Sequence, residues 1–374
     1  MIEVRLVNNR RLLGQFIDFP YTKYRAHPHW TPQLRLSEWH QFDPTRNPFF
    51  AMADMQLFLA VDGNRVSGRI AAIDDRRHNE VHRDNVGMFG FFEADSVEAA
   101  RALLAEAEQW ARSRGRVALR GPLNPSLNYS GGLQIDAFDT DPFVMMPCNP
   151  PEYAQYIEGA GYAKVMDLYA WLFDLRQPLP DRFTRLVAQS ELRGEFVVRP
   201  VDFSDFSREM EKLRQVYSRA WEANWGFVPP THEEFQHIAA DLKQVAIPDG
   251  VLLAESGGSV IGCAIGLPDI NQVLKGTGGR LFPLGLARFL LRKRLVSRVR
   301  LLLLGVVPEF RATEVLVLLF HRIHAWAKRM GYTSAELSWT LESNVVVNRS
   351  LELGGAVRYK THRLYQRPLA GCGT

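Results

Sequence analysis

At 374 residues, with 46% hydrophobic and 23% charged residues, the chain exceeds one typical core and predicts two domains. A formal charge of +4 is too mild, without any reader motif, to mark a nucleic-acid binder. Three scattered cysteines (Cys148, Cys263, Cys372) argue against a disulfide framework or a metal site and for a reducing compartment. Met1 to Arg5 lack the basic start and apolar core of a signal peptide, and no apolar run approaches the roughly 20 residues that span a bilayer. The expectation is a cytoplasmic protein, either soluble or lying peripherally on the inner membrane.

In chain order, Ile2 to Val7 reads as a strand and Arg10 to Phe19 as a helix. Tyr21 to Phe50, rich in Pro, His and aromatic residues, reads as an ordered irregular lid. Strands Gln56 to Val61 and Val66 to Asp75 flank the turn Asp62-Gly63-Asn64, and Val86 to Phe92 is a further strand. Asp95 or Ser96 caps a helix through Arg114 that carries Ala99, Leu103, Ala107, Trp110 and Ala111 on one side; Val117 to Arg120 follows as a strand. The acidic Phe92 to Ser96 connection holds no glycine-rich phosphate loop. The polar loops Arg120 to Asn128 and Cys148 to Tyr153 sit where open α/β sheets place sites, although Asn, Pro and Gly also simply make turns.

Arg176 to Asp181 reads as the connection between two domains, 1–180 and 181–374. Phe196 to Pro200 is a strand and Asp202 to Trp221 a helix, leading into the aromatic, proline-stiffened bend Trp221 to Thr231. Thr231 and Glu234 form a capping box for the next helix. Gly250 to Glu255 and Ser259 to Leu267 form a hairpin across Gly257-Gly258. Pro268 to Val299 then carries Lys275, Arg280, Arg288, Arg292, Lys293, Arg294, Arg298 and Arg300 with no acid after Asp269 until Glu309, interleaved with Leu284, Leu286, Phe289, Leu290 and Leu291. Over 275–300 this describes a basic amphipathic helix, and three readings stay open: packing on its own domain, docking on an anionic membrane surface, or contact with nucleic acid.

The apolar run Leu301 to Val307, bounded by Pro308, reads as a strand buried on both faces. A helix with Val315, Leu318, Leu319, Ile323 and Trp326 on one stripe ends at Gly331. Ala335 to Leu341 alternates, with Glu336, Ser338 and Thr340 on one face. A second helix opens after Ser343-Asn344 and ends at Gly354-Gly355, before a final strand, Ala356 to Arg367.

The order strand, helix, strand, short helix, strand resembles the second half of the GNAT (Gcn5-related N-acetyltransferase) fold, and the N-terminal half resembles a divergent copy. Asn344, Val347, Leu351 and Gly355-Ala356 stand at the spacing of the family's terminal signature. Arg311 stands at the Arg/Gln of the coenzyme A loop, with Glu314 and Leu316 at its glycines. Gly68 to Ile70, Phe89 to Phe92, Arg120 to Ser126, Asn149-Pro150, Asn224 to Pro229, Pro268 to Asn271 and Glu336 to Trp339 resemble motifs of two-domain GNAT-like bacterial proteins related to YghO. Some GNAT-like bacterial proteins act as ceramide synthases.

The resemblance implies an α/β protein with a tandem duplicated GNAT fold, each copy a splayed mixed sheet flanked by helices. It implies acyl-coenzyme A as co-substrate, no tightly bound cofactor, and a hydrophobic amine such as a sphingoid base as acceptor. The amine must lose a proton, and Glu336 is the first candidate base, ahead of Asp269 and Glu342. Tyr365 is the candidate acid, since Leu351 stands at the usual tyrosine. The backbone at Val306 and Val307 would polarise the thioester; Arg311, Asn344 and Asn348 would hold phosphate and pantetheine; Asn224, Trp225, Phe227, Asn271, Ser338 and Trp339 would line the acceptor site. Two other functions stay open: a non-catalytic GNAT-like protein that binds lipid or a partner, and an acetyltransferase of a small polar amine.

Overall fold

The computed structural model describes residues 2–280 and 295–369. Two compact units form: residues 2–168, 274–280 and 360–369 in the first, residues 169–273 and 295–359 in the second.

In the first unit β1 (Ile2–Leu6), β2 (Ala53–Asp62), β3 (Arg65–Asp75) and β4 (Val86–Ala94) are antiparallel neighbours, and β5 (Ala118–Gly121) runs parallel to β4. Gly63 takes φ +58° in the β2–β3 turn, a conformation that costs glycine little. Ser96 caps the helix Val97–Ser113, its hydroxyl accepting from the Ala99 N–H at 3.2 Å. That helix buries Ala99, Leu103, Ala107 and Ala111 in a core shared with Phe58, Ile70 and Phe89. The first helix runs Arg10–Lys23, four residues past the expected end, because Phe16, Ile17 and Phe19 bury one side of it. A short β6 (Leu133–Gln134) follows, and β7 (Ala163–Asp174) leaves the first unit after Leu168.

In the second unit β8 (Val197–Pro200), β9 (Val251–Ser256), β10 (Ser259–Pro268) and β11 (Arg298–Val306) are antiparallel neighbours, and β12 (Ser334–Leu341) runs parallel to β11. Glycines show which helix covers which face. A Cβ on Gly262 or Gly266 would meet Leu319 or Trp326 of the helix Val315–Arg329, whereas one on Gly305 would lie 2.3 Å from the ring of Trp221, the last residue of the helix Phe206–Trp221. The last strand, β13 (Val357–Pro368), begins in the second unit; its residues Tyr365 to Pro368 pair with Gly121 to Ala118 in the first. The first unit thus closes with residues from the far end of the chain, which a continuous cut at 180/181 leaves out.

Residues 281–294, the centre of the expected basic amphipathic helix, lie outside the described residues. Three cations counted with it are engaged inside the fold: Lys275 pairs with Asp141 at 2.8 Å, Arg298 with Asp269 at 2.5 Å, and Arg300 is buried in β11. Among the described residues no helix is long and apolar enough to cross a membrane.

His324, buried in the helix Val315–Arg329, has its pKa lowered to about 4, chiefly by burial. The unfolded chain takes up this proton near pH 6.5, so stability falls as pH drops from about 6.5 towards 4. His324→Leu is expected to flatten that part of a Tm-against-pH curve; an unchanged slope contradicts it.

Candidate active site

The site follows from where two parallel strands part. The β11–β12 ladder runs from Arg298↔Ser334 to Leu301↔Leu337, yet β11 continues to Val306 and β12 to Leu341. At the same point the β10–β11 register shifts: Gly266 faces Leu301 and Ile265 faces Leu303, so Leu302 is a bulge. Past it, Leu302 to Gly305 are only half-buried, which departs from the expected doubly buried strand. The reason is geometric: β12 has diverged and covers them no longer.

Opposite residues of a ladder share a face, which places Arg300 and Glu336 on the face of Gly305 and Trp221. A buried polar network sits there. Glu336 is 0% exposed and Arg300 2%. Ser338 Oγ donates to Glu336 Oε1 at 2.6 Å and accepts from Arg300 Nε at 2.9 Å, and Tyr359 Oη donates to Glu336 Oε2. Arg300 Nε lies 3.9 Å from Glu336 Oε1. Burial lowers the pKa of Arg300, and the charge of Glu336 acts against that; burial also raises the pKa of Tyr359.

The first unit has the same parting, and it is filled. The β4–β5 ladder ends at Met88↔Arg120, and the β3–β4 register shifts just beyond, between Arg69 and Ala71. Here the chain after β5 closes the gap: Leu123 N–H donates to the Phe89 carbonyl at 2.8 Å, and Asn124 Oδ1 accepts from the Phe91 N–H at 2.6 Å.

No protein-family model matches the chain. Two curated relatives span nearly its whole length: protein YghO of Escherichia coli, 33% identical over 98% of this chain and 95% of its own, and a bacterial ceramide synthase of Caulobacter vibrioides, 34% identical over 96% and 95%. The chain belongs to their family. Among solved structures, a tandem GNAT protein from the clavulanic acid biosynthesis pathway aligns over the full length of both chains with a TM-score of 0.57 at 12% identity, which shows the tandem GNAT fold. The chain is thus a GNAT-fold protein of the family that holds this ceramide synthase.

The structure brings some of the anticipated residues together and separates others. Glu336 and Ser338 share the network, with Trp339 half-buried beside them. Asp269 is fully buried against Arg298, and Asn271 is buried at the start of the short helix Asn271–Leu274. Glu342 is half-buried just past β12. Tyr365 belongs to the first unit, where its hydroxyl meets Glu158 at 3.0 Å and its ring joins the core. Val306 ends β11, and the Val307 N–H already donates to the Ile261 carbonyl at 2.9 Å; the bulge falls earlier, at Leu302.

Arg311 donates to the Ala220 carbonyl at 2.9 Å. Glu309 and Glu314, the acids of the expected phosphate loop, pair with Arg219 at 2.7 Å and Arg193 at 3.1 Å, which offsets their charge. Asn344 starts the helix Val345–Leu353. Asn348 is spent on structure, donating to the Leu341 carbonyl at 2.9 Å and accepting from Thr340 Oγ1 at 2.6 Å. Asn224 and Trp225 are half-buried in the bend, whereas Phe227 is core, 5.0 Å edge-on from Tyr217.

Sequence reasoning missed Arg300 and Tyr359 as members of the network. Alternation along the final strand sets Tyr359 and Tyr365 on the same face, so the pattern did not single out Tyr359.

Proposed function

We propose that this chain transfers a long-chain acyl group from acyl-coenzyme A to the amine of a sphingoid base, making an N-acyl sphingoid base of the ceramide type. The observation that carries the reading is the parting of β11 and β12 beyond Leu301 and Leu337, which has half-buried leucines on β11 and a buried carboxylate on β12. Leu303, half-buried on the face of Gly305 and Trp221, offers aliphatic surface to a fatty acyl chain, which a two-carbon acetyl group would not need. The printed name of the Caulobacter relative, a ceramide synthase, points to the same product class.

In this reading the thioester lies along the parted strands, with its carbonyl facing the bulge. A bulged residue is left over from the ladder, which lets the Leu302 N–H turn towards a developing oxyanion. Glu336 is the final acceptor of the amine's proton. Arg311, bonded to a neutral carbonyl, supplies positive charge near the start of the helix Val315–Arg329 for the nucleotide end of the coenzyme, while Arg193 and Arg219 neutralise Glu314 and Glu309 there. Of the basic stretch, Arg288, Arg292, Lys293 and Arg294 with Leu290 and Leu291 are the residues whose chemistry suits the lipid surface from which the sphingoid base arrives.

Because Leu123 and Asn124 fill the parting in the first unit, each chain takes one acyl-coenzyme A. Titration calorimetry with palmitoyl-coenzyme A is expected to give one site per chain. Thiol release with palmitoyl-coenzyme A is expected to require sphinganine. Faster turnover with acetyl-coenzyme A and a small polar amine, or two sites per chain, would count against the proposal.

A further inference from the structure

Gly305 lies in strand β11, where any residue fits the backbone, so its missing side chain supplies room rather than a turn. Trp221 takes that room. A Cβ on Gly305 would lie 2.3 Å from Trp221 Cη2, 2.5 Å from Cζ3 and 3.1 Å from Cζ2, so the benzo edge of the indole rests on bare β11 backbone. Gly305 lies beyond Leu301, the last β11 residue paired with β12, so the ring stands past the point where the strands part. Register fixes its side of the sheet. Arg300, Leu303 and Gly305 lie opposite Leu267, Ile265 and Cys263 on β10, and Arg300 lies opposite Glu336 on β12, so all of them share the face on which Trp221 sits.

That face has two ends of opposite chemistry. At the ladder it is polar and closed, with Glu336, Arg300 and Ser338 buried and Ser338 hydrogen-bonded to the other two. Towards Gly305 it is apolar: Ile265 and Cys263 are buried, and Leu303 and Trp221 are half-buried. Tyr217 extends the aromatic surface, its ring 5.0 Å from that of Trp221. The end of the helix that carries Trp221 is held in place, because Arg311 donates to the Ala220 carbonyl at 2.9 Å and Arg219 pairs with Glu309 at 2.7 Å.

We infer that Trp221 selects the acceptor: its indole, seated on Gly305, is the surface against which the hydrocarbon chain of the amine lies, and it favours a long-chain amine over a short or polar one. The inference rests on the acyl-transfer reading above. An amine whose proton ends on Glu336 enters on the face of Glu336. The polar end of that face is closed, so the rest of the molecule extends towards Gly305. There the indole offers flat apolar surface, which rewards methylene groups taken out of water and penalises polar groups that lose it. The glycine lets the ring lie this close, since a side chain at 305 would lift it off the strand.

The test is steady-state kinetics of the full-length protein with palmitoyl-coenzyme A and either sphinganine or a short-chain analogue of it, beside palmitoyl-coenzyme A titration and thermal unfolding. Trp221→Ala is expected to raise the KM for sphinganine about 10–100-fold, the worth of roughly two or three methylene groups, with kcat within about threefold of wild type. The preference for sphinganine over the analogue should fall by a similar factor, and the affinity for palmitoyl-coenzyme A should stay within about twofold. Gly305→Ala, which lifts the ring without removing it, should move the sphinganine KM the same way. Combined with Trp221→Ala it should add nothing, because the collision is gone. Trp221→Phe, with a smaller ring, is expected to give an intermediate rise and carries the test if Trp221→Ala fails to fold. Folded Trp221 variants with an unmoved sphinganine KM, or a loss confined to palmitoyl-coenzyme A affinity, overturn the assignment and leave acyl transfer standing. Wild-type protein that releases no thiol from any acyl-coenzyme A overturns both.

Discussion

Glu336→Ala is expected to destabilise the second unit by about 3–5 kcal/mol, the cost of leaving a buried charge without its partner. Arg300 is 2% exposed, and burial already works against its charge. Removing the carboxylate takes away the counter-charge 3.9 Å from Arg300 Nε and orphans the hydroxyls of Ser338 and Tyr359. The asymmetry of buried ion pairs makes a sharper version of the test. Arg300→Met combined with Glu336→Leu should recover most of the loss, since an apolar pair of similar volume needs no compensation. Urea unfolding followed by tryptophan fluorescence reads both variants. A single Glu336→Ala change within about 1 kcal/mol of wild type would mean that Arg300 does not depend on Glu336.

Gly90→Ala is expected to cost on the order of 4 kcal/mol or more and to act on the first unit. A Cβ there would lie 1.6 Å from the Leu123 carbonyl oxygen and 2.6 Å from its carbon, both backbone atoms. Leu123 cannot withdraw cheaply, because its N–H is bonded to the Phe89 carbonyl and the next residue, Asn124, holds the Phe91 N–H. The methyl group would force the plug out of the β4–β5 parting and strand those groups. Gly159→Ala serves as the control: nothing lies within 4 Å of its added Cβ, it sits in a helix, and a gain of up to about 1 kcal/mol is expected. Soluble yield and urea midpoints that leave Gly90→Ala level with Gly159→Ala would contradict the argument.

Much of the architecture was legible because it is written in short periods. Alternation in Ala335 to Leu341 put Glu336 and Ser338 on one face, and they meet in one network. Asp95 or Ser96, and Thr231, announced their helices by capping chemistry, and the hydroxyls of Ser96 and Thr231 each accept from the N–H three residues on. The site was legible only in part. Arg298 and Arg300 continue a run of basic residues and read as one face of a membrane helix, but they are strand residues held by Asp269, 29 residues back, and Ser338, 38 residues on. Asn348, expected to hold the coenzyme, instead ties its helix to the end of β12. Tyr365 and Tyr359 lie six residues apart in one strand; the first is core, and the second touches the carboxylate.

The strand Ala163–Asp174 and the helix Asp181–Arg193 went unread, but by itself the sequence determined the two hairpins, the capped helices and the strand face on which the acidic candidate lies. All of these follow from periodicity and end-capping over a dozen residues or fewer. Only the tertiary structure decided that β11 and β12 part after Leu301, that the parting after Met88 is filled, and that Ser338 and Tyr359 hydrogen-bond Glu336. The physical reason is that a register shift and a buried hydrogen bond depend on segments brought together from distant parts of the chain, and local residue pattern carries no record of which distant group will arrive.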